Sequence, residues 1–377
     1  KATELLKQYG FERIKAADMI DSYNFEDRKL VEIVKATYFN PKIVVIDETT
    51  TALSQEGREE LYKHMERIRK RRNTVIFISH DLPEIIEKSD TITILRDGVY
   101  IDTVKSKDVN ENDLKKLMVG REVTGDYYRS DYGEKVSDEV VLSVKNVTVP
   151  GLIENVSFDL HKGEILGFGG LSESGMHEIG KAIFGASYDR EGTVELADGT
   201  QINDIPTAIK HSIAYTSKDR DNESVVLNQS IGDNICLPSL DELSGPAHLI
   251  SDKKKKDFAN EFAKQMSVKM VDVNQFVSNL SGGNKQKVVL ARWIGKDSDI
   301  VVLDSPTRGI DIKVKQDIYQ LMNQMRKNGK SIIMISEELM ELIGMCDRIM
   351  IMKDGKISGE LERDQNLDEN GLITMMV

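Results

Sequence analysis

The chain carries one long stretch of sequence twice. Residues 23–98 align with residues 280–355 without insertion, at an offset of 300 − 43 = 257 residues. Ile43-Val44-Val45-Ile46-Asp47 falls on Ile300-Val301-Val302-Leu303-Asp304, and Thr74–Ser79 on Ser331–Ser336. Tyr62 falls on Tyr319, Arg69-Lys70 on Arg326-Lys327, Asp90 on Asp347 and Asp97-Gly98 on Asp354-Gly355. In both copies the apolar runs are continuous rather than alternating, as strands buried on both faces of a parallel sheet require. A helix-length stretch, 55–71 or 312–328, separates the two runs. This is a βαβ pattern, so the fold class is α/β, with helices on both faces of a mainly parallel sheet, present twice.

The second copy reads from the strand-like Val140–Val144 to the end of the chain. A glycine-rich loop at Gly170 has no counterpart in the first copy, since 170 − 257 = −87 lies off the chain, and the front of that copy is expected to lie outside this sequence. The expected organisation is the C-terminal part of a first domain over 1–122, a polar, aperiodic linker over 123–139 and a second domain over 140–377. With 377 residues there is enough chain for two ordinary cores. A net charge of −12 argues against a nucleic-acid or anionic-membrane surface, which would need an excess of Lys and Arg. The basic run Lys253–Lys256 reads as a solvated helix face. Cys236 and Cys346 are far apart and flanked by apolar residues, so they read as buried thiols in a reducing compartment. No apolar run approaches the roughly 20 residues of a membrane-spanning helix, so any role at a membrane runs through a partner.

Three motifs carry chemistry. Leu280-Ser281-Gly282-Gly283-Asn284-Lys285-Gln286 places a hydroxyl and two glycines at the start of a helical stretch. Bare backbone N–H groups and the helix dipole favour an anion there. Gly170-Leu171-Ser172-Glu173-Ser174-Gly175-Met176-His177 follows an apolar strand and precedes a helix, with the glycine spacing of a phosphate-cradling P-loop. That motif expects Lys where Met176 stands and Ser or Thr where His177 stands. The loop either keeps nucleotide through its backbone or is an empty structural turn, and it reads as a poor hydrolysis site. The third motif is the carboxylate ending each repeated strand, Asp47 and Asp304.

Taken together, in this order and repeated at one offset, the motifs resemble those of the ABC ATPase family over essentially the whole chain. The resemblance implies two P-loop NTPase domains of the ABC type, the first without its front. It makes Leu280–Gln286 a signature motif and Asp47 and Asp304 Walker B acids, with Asp47 holding Mg2+. Glu48 matches the general base that polarises the attacking water, and His80 matches the switch histidine at the γ-phosphate. Thr51-Ala52-Leu53-Ser54 and Arg308-Gly309-Ile310-Asp311 look like D-loops. In that family two cassettes pair head to tail, each ATP lying between one P-loop and the other domain's signature.

The copies diverge in a patterned way. Glu48 faces Ser305, His80 faces Glu337, and Ser281-Gly282-Gly283-Asn284 faces Asn24-Phe25-Glu26-Asp27. Under head-to-tail pairing, one interface keeps Asp47, Glu48, His80 and Ser281–Asn284, while the other is defective from both sides. Met118–Glu122, the second signature as it runs over Leu280–Lys287, and Tyr215–Arg220 are similar to hallmarks of fused two-cassette importers of ribose, galactose and related monosaccharides. The implied cofactors are ATP and Mg2+. The implied partners are integral-membrane permease subunits and, through them, a sugar-binding protein, at the cytoplasmic face of the membrane and with no nucleic acid. A nucleoside importer of the same architecture is the near alternative. A ribosome-associated twin-cassette protein would need two signatures and a basic linker, and 123–139 carries Asp126, Asp131, Glu134, Asp138 and Glu139. With the first P-loop off the chain, little ATPase activity is expected of these 377 residues alone.

Overall fold

A computed structural model describes the chain except residues 1, 24, 48, 54, 80, 97–98, 120–126, 133–134, 172, 246–248, 311, 365–366 and 377. It divides into two compact units, Lys1–Thr124 and Gly125–Val377.

In the first unit, α1 (Ala2–Gln8) and α2 (Phe25–Thr37) precede β1 (Ile43–Asp47), α3 (Gln55–Lys70) and β2 (Thr74–Ile78). Then come α4 (Leu82–Lys88), the hairpin β3 (Thr91–Arg96) and β4 (Val99–Lys105), and α5 (Glu111–Val119). β1 and β2 are parallel, with Ile43 opposite Thr74 and Asp47 opposite Ile78. Val44, Ile46, Leu53, Leu61 and Met65 form the core on one face of that pair.

The second unit begins with β5 (Val140–Val149), β6 (Ile153–His161) and β7 (Ile165–Gly170), then α6 (Met176–Ile183) and β8 (Glu191–Leu196). α7 (Ile205–Lys210), β9 (Ile213–Thr216), α8 (Ile231–Cys236), α9 (Leu240–Leu243) and α10 (Asp252–Gln265) follow. The repeated stretch supplies α11 (Gly282–Gly295), β10 (Ile300–Asp304), α12 (Ile312–Lys327), β11 (Ser331–Ile335), α13 (Leu339–Met345) and β12 (Arg348–Lys353). β13 (Lys356–Glu362) and α14 (Glu369–Met376) close the unit. The main sheet runs β13-β12-β7-β11-β10-β9, parallel except for β13 against β12, and a smaller antiparallel sheet runs β6-β5-β8. This is the α/β architecture expected of the continuous apolar runs. The β10/β11 register pairs Ile300 with Ser331 and Asp304 with Ile335, which is the β1/β2 register displaced by 257.

α10 carries Lys253–Lys256 on an exposed face, with Lys255 paired to Asp233, while Ala259 and Ala263 face the core. Both cysteines are buried free thiols. Among the described residues no helix is long and apolar enough to cross a membrane.

One part of the expected linker is docked rather than free. Tyr127 and Tyr128 pack on the buried Tyr319 ring at 5.5 and 5.3 Å. Tyr128 fits only because residue 344 is glycine; a Cβ there would collide with its ring. Arg129 is buried. It donates to the Met345 carbonyl (2.7 Å), pairs with Asp347 (2.6 Å) and Asp131 (3.0 Å), and Asp131 also meets Arg326. Polar residues without periodicity read as linker, but here they are buried in pairs. Burial would raise the Asp131 carboxyl, yet the hydrogen bonds and charge of Arg129, with Arg326 behind them, hold it at about 2.

Arg129→Ala leaves the buried Asp347 without its cation and Asp131 with Arg326 alone, and the expected cost is about 3–5 kcal/mol. Urea unfolding followed through the second unit's single Trp, Trp293, reads this as a lower midpoint. A midpoint within error of wild type would show that the docked segment adds nothing. The Asp131 contribution is fully present above its ordinary titration range and is lost as pH falls towards about 2.

Candidate nucleotide site

The loop between β7 and α6 is built as its glycines demand. Gly175 has φ +90°, and a Cβ there would collide with Ile153 and the Leu152 carbonyl. Gly170 has no room for a Cβ against the Ser174 hydroxyl and the Met352 carbonyl. Ser174 is 5% exposed, and its Oγ is buried without a hydrogen-bond partner. Leu171 and Glu173 are exposed, and Ser172 lies outside the described residues. Met176, where a P-loop puts its lysine, is fully buried and belongs to the core cluster, so it reaches no phosphate.

His177 has a partner on each ring nitrogen. Its Nδ1 is 2.7 Å from Oδ1 of Asp304, the acid ending β10, which is itself 1% exposed. Ser305 Oγ donates to the same oxygen at 3.1 Å. His177 Nε2 is 3.1 Å from the Lys218 ammonium, which pairs with Glu337 at 2.7 Å. Burial opposes the imidazolium, but hydrogen bonds to Asp304 and Glu337 and the attraction of Asp304 outweigh it, so the ring's pKa is raised. Lys218 follows β9 within the Tyr215–Arg220 segment; the sequence pattern assigned it no role, and the fold brings it across to His177.

Ser281 stands at the start of α11 with extended backbone and does not cap its own helix. Its hydroxyl accepts from Asn284 Nδ2 at 3.0 Å, and Asn284 is anchored in turn by the Lys269 amide at 2.8 Å. Ser281 is exposed, with Gly282, Gly283 and Asn284 half-buried behind it. A Cβ on Gly282 would press on the Arg220 guanidinium and the Gly309 carbonyl, so glycine lets the signature, Arg220 and the expected D-loop meet. This end of α11 offers a hydroxyl, backbone amides and a positive dipole to an anion.

In the first unit the equivalent helix, α2, begins at the same repeat position, since 25 + 257 = 282. Its first turn holds Asp27, which is buried against Arg13 (2.7 Å), where the matching turn of α11 holds Asn284. A carboxylate there is favourable to the dipole and unfavourable to a phosphate. Asp47 ends β1 with its side chain exposed. Glu48, His80, Asn24, Ser54 and Asp311 lie outside the described residues. Among the described residues no cluster of three or more His, Cys, Asp or Glu forms a ready metal cage.

A feature the sequence reading passed over is a buried carboxylate repeated in both units. Glu341 accepts from Thr307 (2.6 Å), Tyr319 (2.6 Å) and Ser336 (2.9 Å), and meets Lys315 at 3.2 Å. At the same offset, Glu84 accepts from Thr50 (3.0 Å), Ser79 (2.7 Å) and Tyr62. The flanking pairs recur too, Lys315 with Glu338 (2.7 Å) and Arg58 with Asp81 (3.6 Å). The signal was present: Glu84 and Glu341 are identical residues 257 apart.

A parallel sheet carrying a glycine loop ahead of a helix and an acid at a neighbouring strand end is the architecture of a P-loop nucleotide-binding domain. The family profile described as ABC transporter matches residues 153–308. The chain is 37% identical to the ribose import ATP-binding protein of Clostridium perfringens strain 13, over 97% of this chain and 72% of that protein. It is 39% identical to the ribose import ATP-binding protein of Lactococcus lactis subsp. cremoris (98% and 74%). It is 43% identical to the xylose import ATP-binding protein of Thermoanaerobacter pseudethanolicus (90% and 68%). The fold matches an ATP-binding cassette solved as a dimer in a post-hydrolysis state with ADP and Pi, at TM-score 0.52 and 22% identity over 59% of this chain and 99% of that one. It also matches a nucleotide-free cassette from an ABC transporter, at TM-score 0.53 and 17% identity over 63% and 99%. The chain belongs to the ABC transporter ATP-binding subunits, the ATPase family that contains these relatives.

Glu341→Ala strands three hydroxyls and removes one of the two carboxylates paired with Lys315, and an unfolding cost of about 3–5 kcal/mol is expected. Tyr319→Phe removes one donor to the same carboxylate and should cost about 1.5–3 kcal/mol. Denaturant titration of both variants ranks them; equal costs would mean that the carboxylate does not organise the cluster.

Proposed function

We propose that the chain is the ATP-hydrolysing subunit of a monosaccharide importer and that it works through one competent composite ATP site. The feature that supports this reading is the residues that accompany the two strand-end acids. Asp47 is followed by Glu48 and matched by His80, whereas Asp304 is bonded to His177, followed by Ser305 and matched by Glu337. The second unit in turn presents the open serine and glycines of α11, where the first unit presents acids. Under the head-to-tail pairing of the family, Asp47, Glu48 and His80 face Ser281, Gly282, Gly283 and Asn284 across one nucleotide.

In that site Glu48 accepts hydrogen bonding from the attacking water and fixes its line of approach. Ser281 and the first amides of α11 receive the γ-phosphate oxygens, and His80 contacts them from the other side. Mg2+ at Asp47 supplies charge neutralisation of the phosphates when bound. Nucleotide thereby joins the two units, and hydrolysis removes the group that joins them. The glycine loop of the second unit holds nucleotide without turning it over.

The names of the relatives support a sugar as cargo, ribose or xylose among them. The partners are integral-membrane permease subunits and, through them, a sugar-binding protein, with the chain held peripherally at the cytoplasmic face.

Glu48→Gln in the full-length protein should lower kcat on the order of 10²–10⁴-fold while leaving ATP binding intact. Ser305→Ala, at the matching position of the other unit, should leave kcat unchanged. Steady-state phosphate release with a filter-binding control separates the two, and near-wild-type hydrolysis by the Glu48→Gln protein would sink the assignment.

A further inference from the structure

Mg2+ fits the second site poorly. A P-loop metal is held between the hydroxyl after the loop lysine and the strand-end aspartate. Here those two positions are His177 and Asp304, and they are bonded directly to each other at 2.7 Å. The Ser305 hydroxyl takes the same carboxylate oxygen, and Asp304 is 1% exposed, so a metal would have to expel the imidazole before it met a ligand. The vacated position would then offer no hydroxyl, and the lysine position holds a buried methionine. Charge points the same way. The Lys218 ammonium sits 3.1 Å from the far nitrogen of His177 and 2.7 Å from Glu337, so the cluster already contains its own cation.

Anion-binding features nevertheless persist around this cluster. Gly175 keeps the left-handed turn that precedes α6. The Ser174 hydroxyl is buried and unpartnered inside the loop. Lys218 remains about a quarter exposed at the rim.

We propose that the loop at 170–177 takes a nucleoside triphosphate as the free, metal-less anion, with Lys218 and the His177–Asp304 pair standing where Mg2+ would be. This rests on the reading that the second loop retains nucleotide. It also supplies a physical reason for the silence of that site: there is no divalent ion to gather charge on the transferring phosphoryl group, and no free carboxylate to receive one.

The test is photolabelling of the full chain with 8-azido-ATP, followed by mapping of the labelled peptides, so that label in the second unit is counted by itself. With 8-azido-ATP and EDTA, labelling of the second unit should equal that obtained with Mg2+. In the Lys218→Ala variant, labelling in EDTA should fall by about tenfold, the equivalent of one lost charged contact, and Lys218→Arg should retain it. Circular dichroism checks that the variants are folded. Label in the wild-type second unit that appears only with Mg2+ would overturn the metal-free site and leave nucleotide retention standing. No label in that unit under either condition would overturn both.

Discussion

A carboxylate with almost no exposure to water fixes how the working loops of each unit stand on the sheet. In the second unit Glu341 gathers Thr307, beyond the end of β10, Ser336, at the end of β11, and Tyr319 from the middle of α12. An ionised group at 1% exposure is tolerable only with this many donors, since an unpaired one would cost several kcal/mol. The requirement acts in both directions. The hydroxyls satisfy the charge, and the charge holds three segments at hydrogen-bonding distance from a single atom group. Those segments are the loop after the Walker B strand, the loop after the next strand and the helix between them. Glu84 repeats the arrangement in the first unit through Thr50, Ser79 and Tyr62. The scaffold is therefore common to both units, and the differences lie at positions the hub does not use, 48 against 305 and 80 against 337.

The fold was legible because burial on both faces of a parallel sheet leaves a continuous apolar run, and two such runs at one offset can be checked against each other. The observed registers of β1/β2 and β10/β11 coincide at that offset. What the runs could not show is what covers a strand. Ile300, Val302, Ile333 and Ile335 are at most 4% exposed. In the second unit α6 lies against β10 and β11, with Gly180 close to Ile335 and Val302. Sequence reports the apolar surface a strand has; packing decides whether it meets a helix.

The site was legible in part. Glycine spacing located the loop at Gly170–Gly175, because only a residue without Cβ fits those positions. The loss of lysine and hydroxyl at Met176 and His177 was visible as an absence. The gain was not visible: an imidazole tied to Asp304 and a lysine reaching it from 41 residues further along the chain. Lys218, Glu341 and Arg129 share one property. Each acts through at least one partner far away in sequence, so composition assigned Arg129 to a linker, Lys218 stood in the Tyr215–Arg220 segment without a role, and Glu341 went unremarked. Polar residues buried in pairs are the kind of structure that hydrophobic patterning misses.

These two kinds of difference, in the acids and in the helix starts, fall on opposite sides of the two interfaces that head-to-tail pairing forms. Transition-state stabilisation in phosphoryl transfer is mostly positioned charge. Asp304 already holds His177 and Ser305 on one carboxylate oxygen, so that oxygen is not free for a metal. Asp27, in the first turn of α2, is an anion where the matching turn of α11 has Asn284. On the proposed pairing each defect therefore sits opposite another defect, and each intact group opposite an intact one.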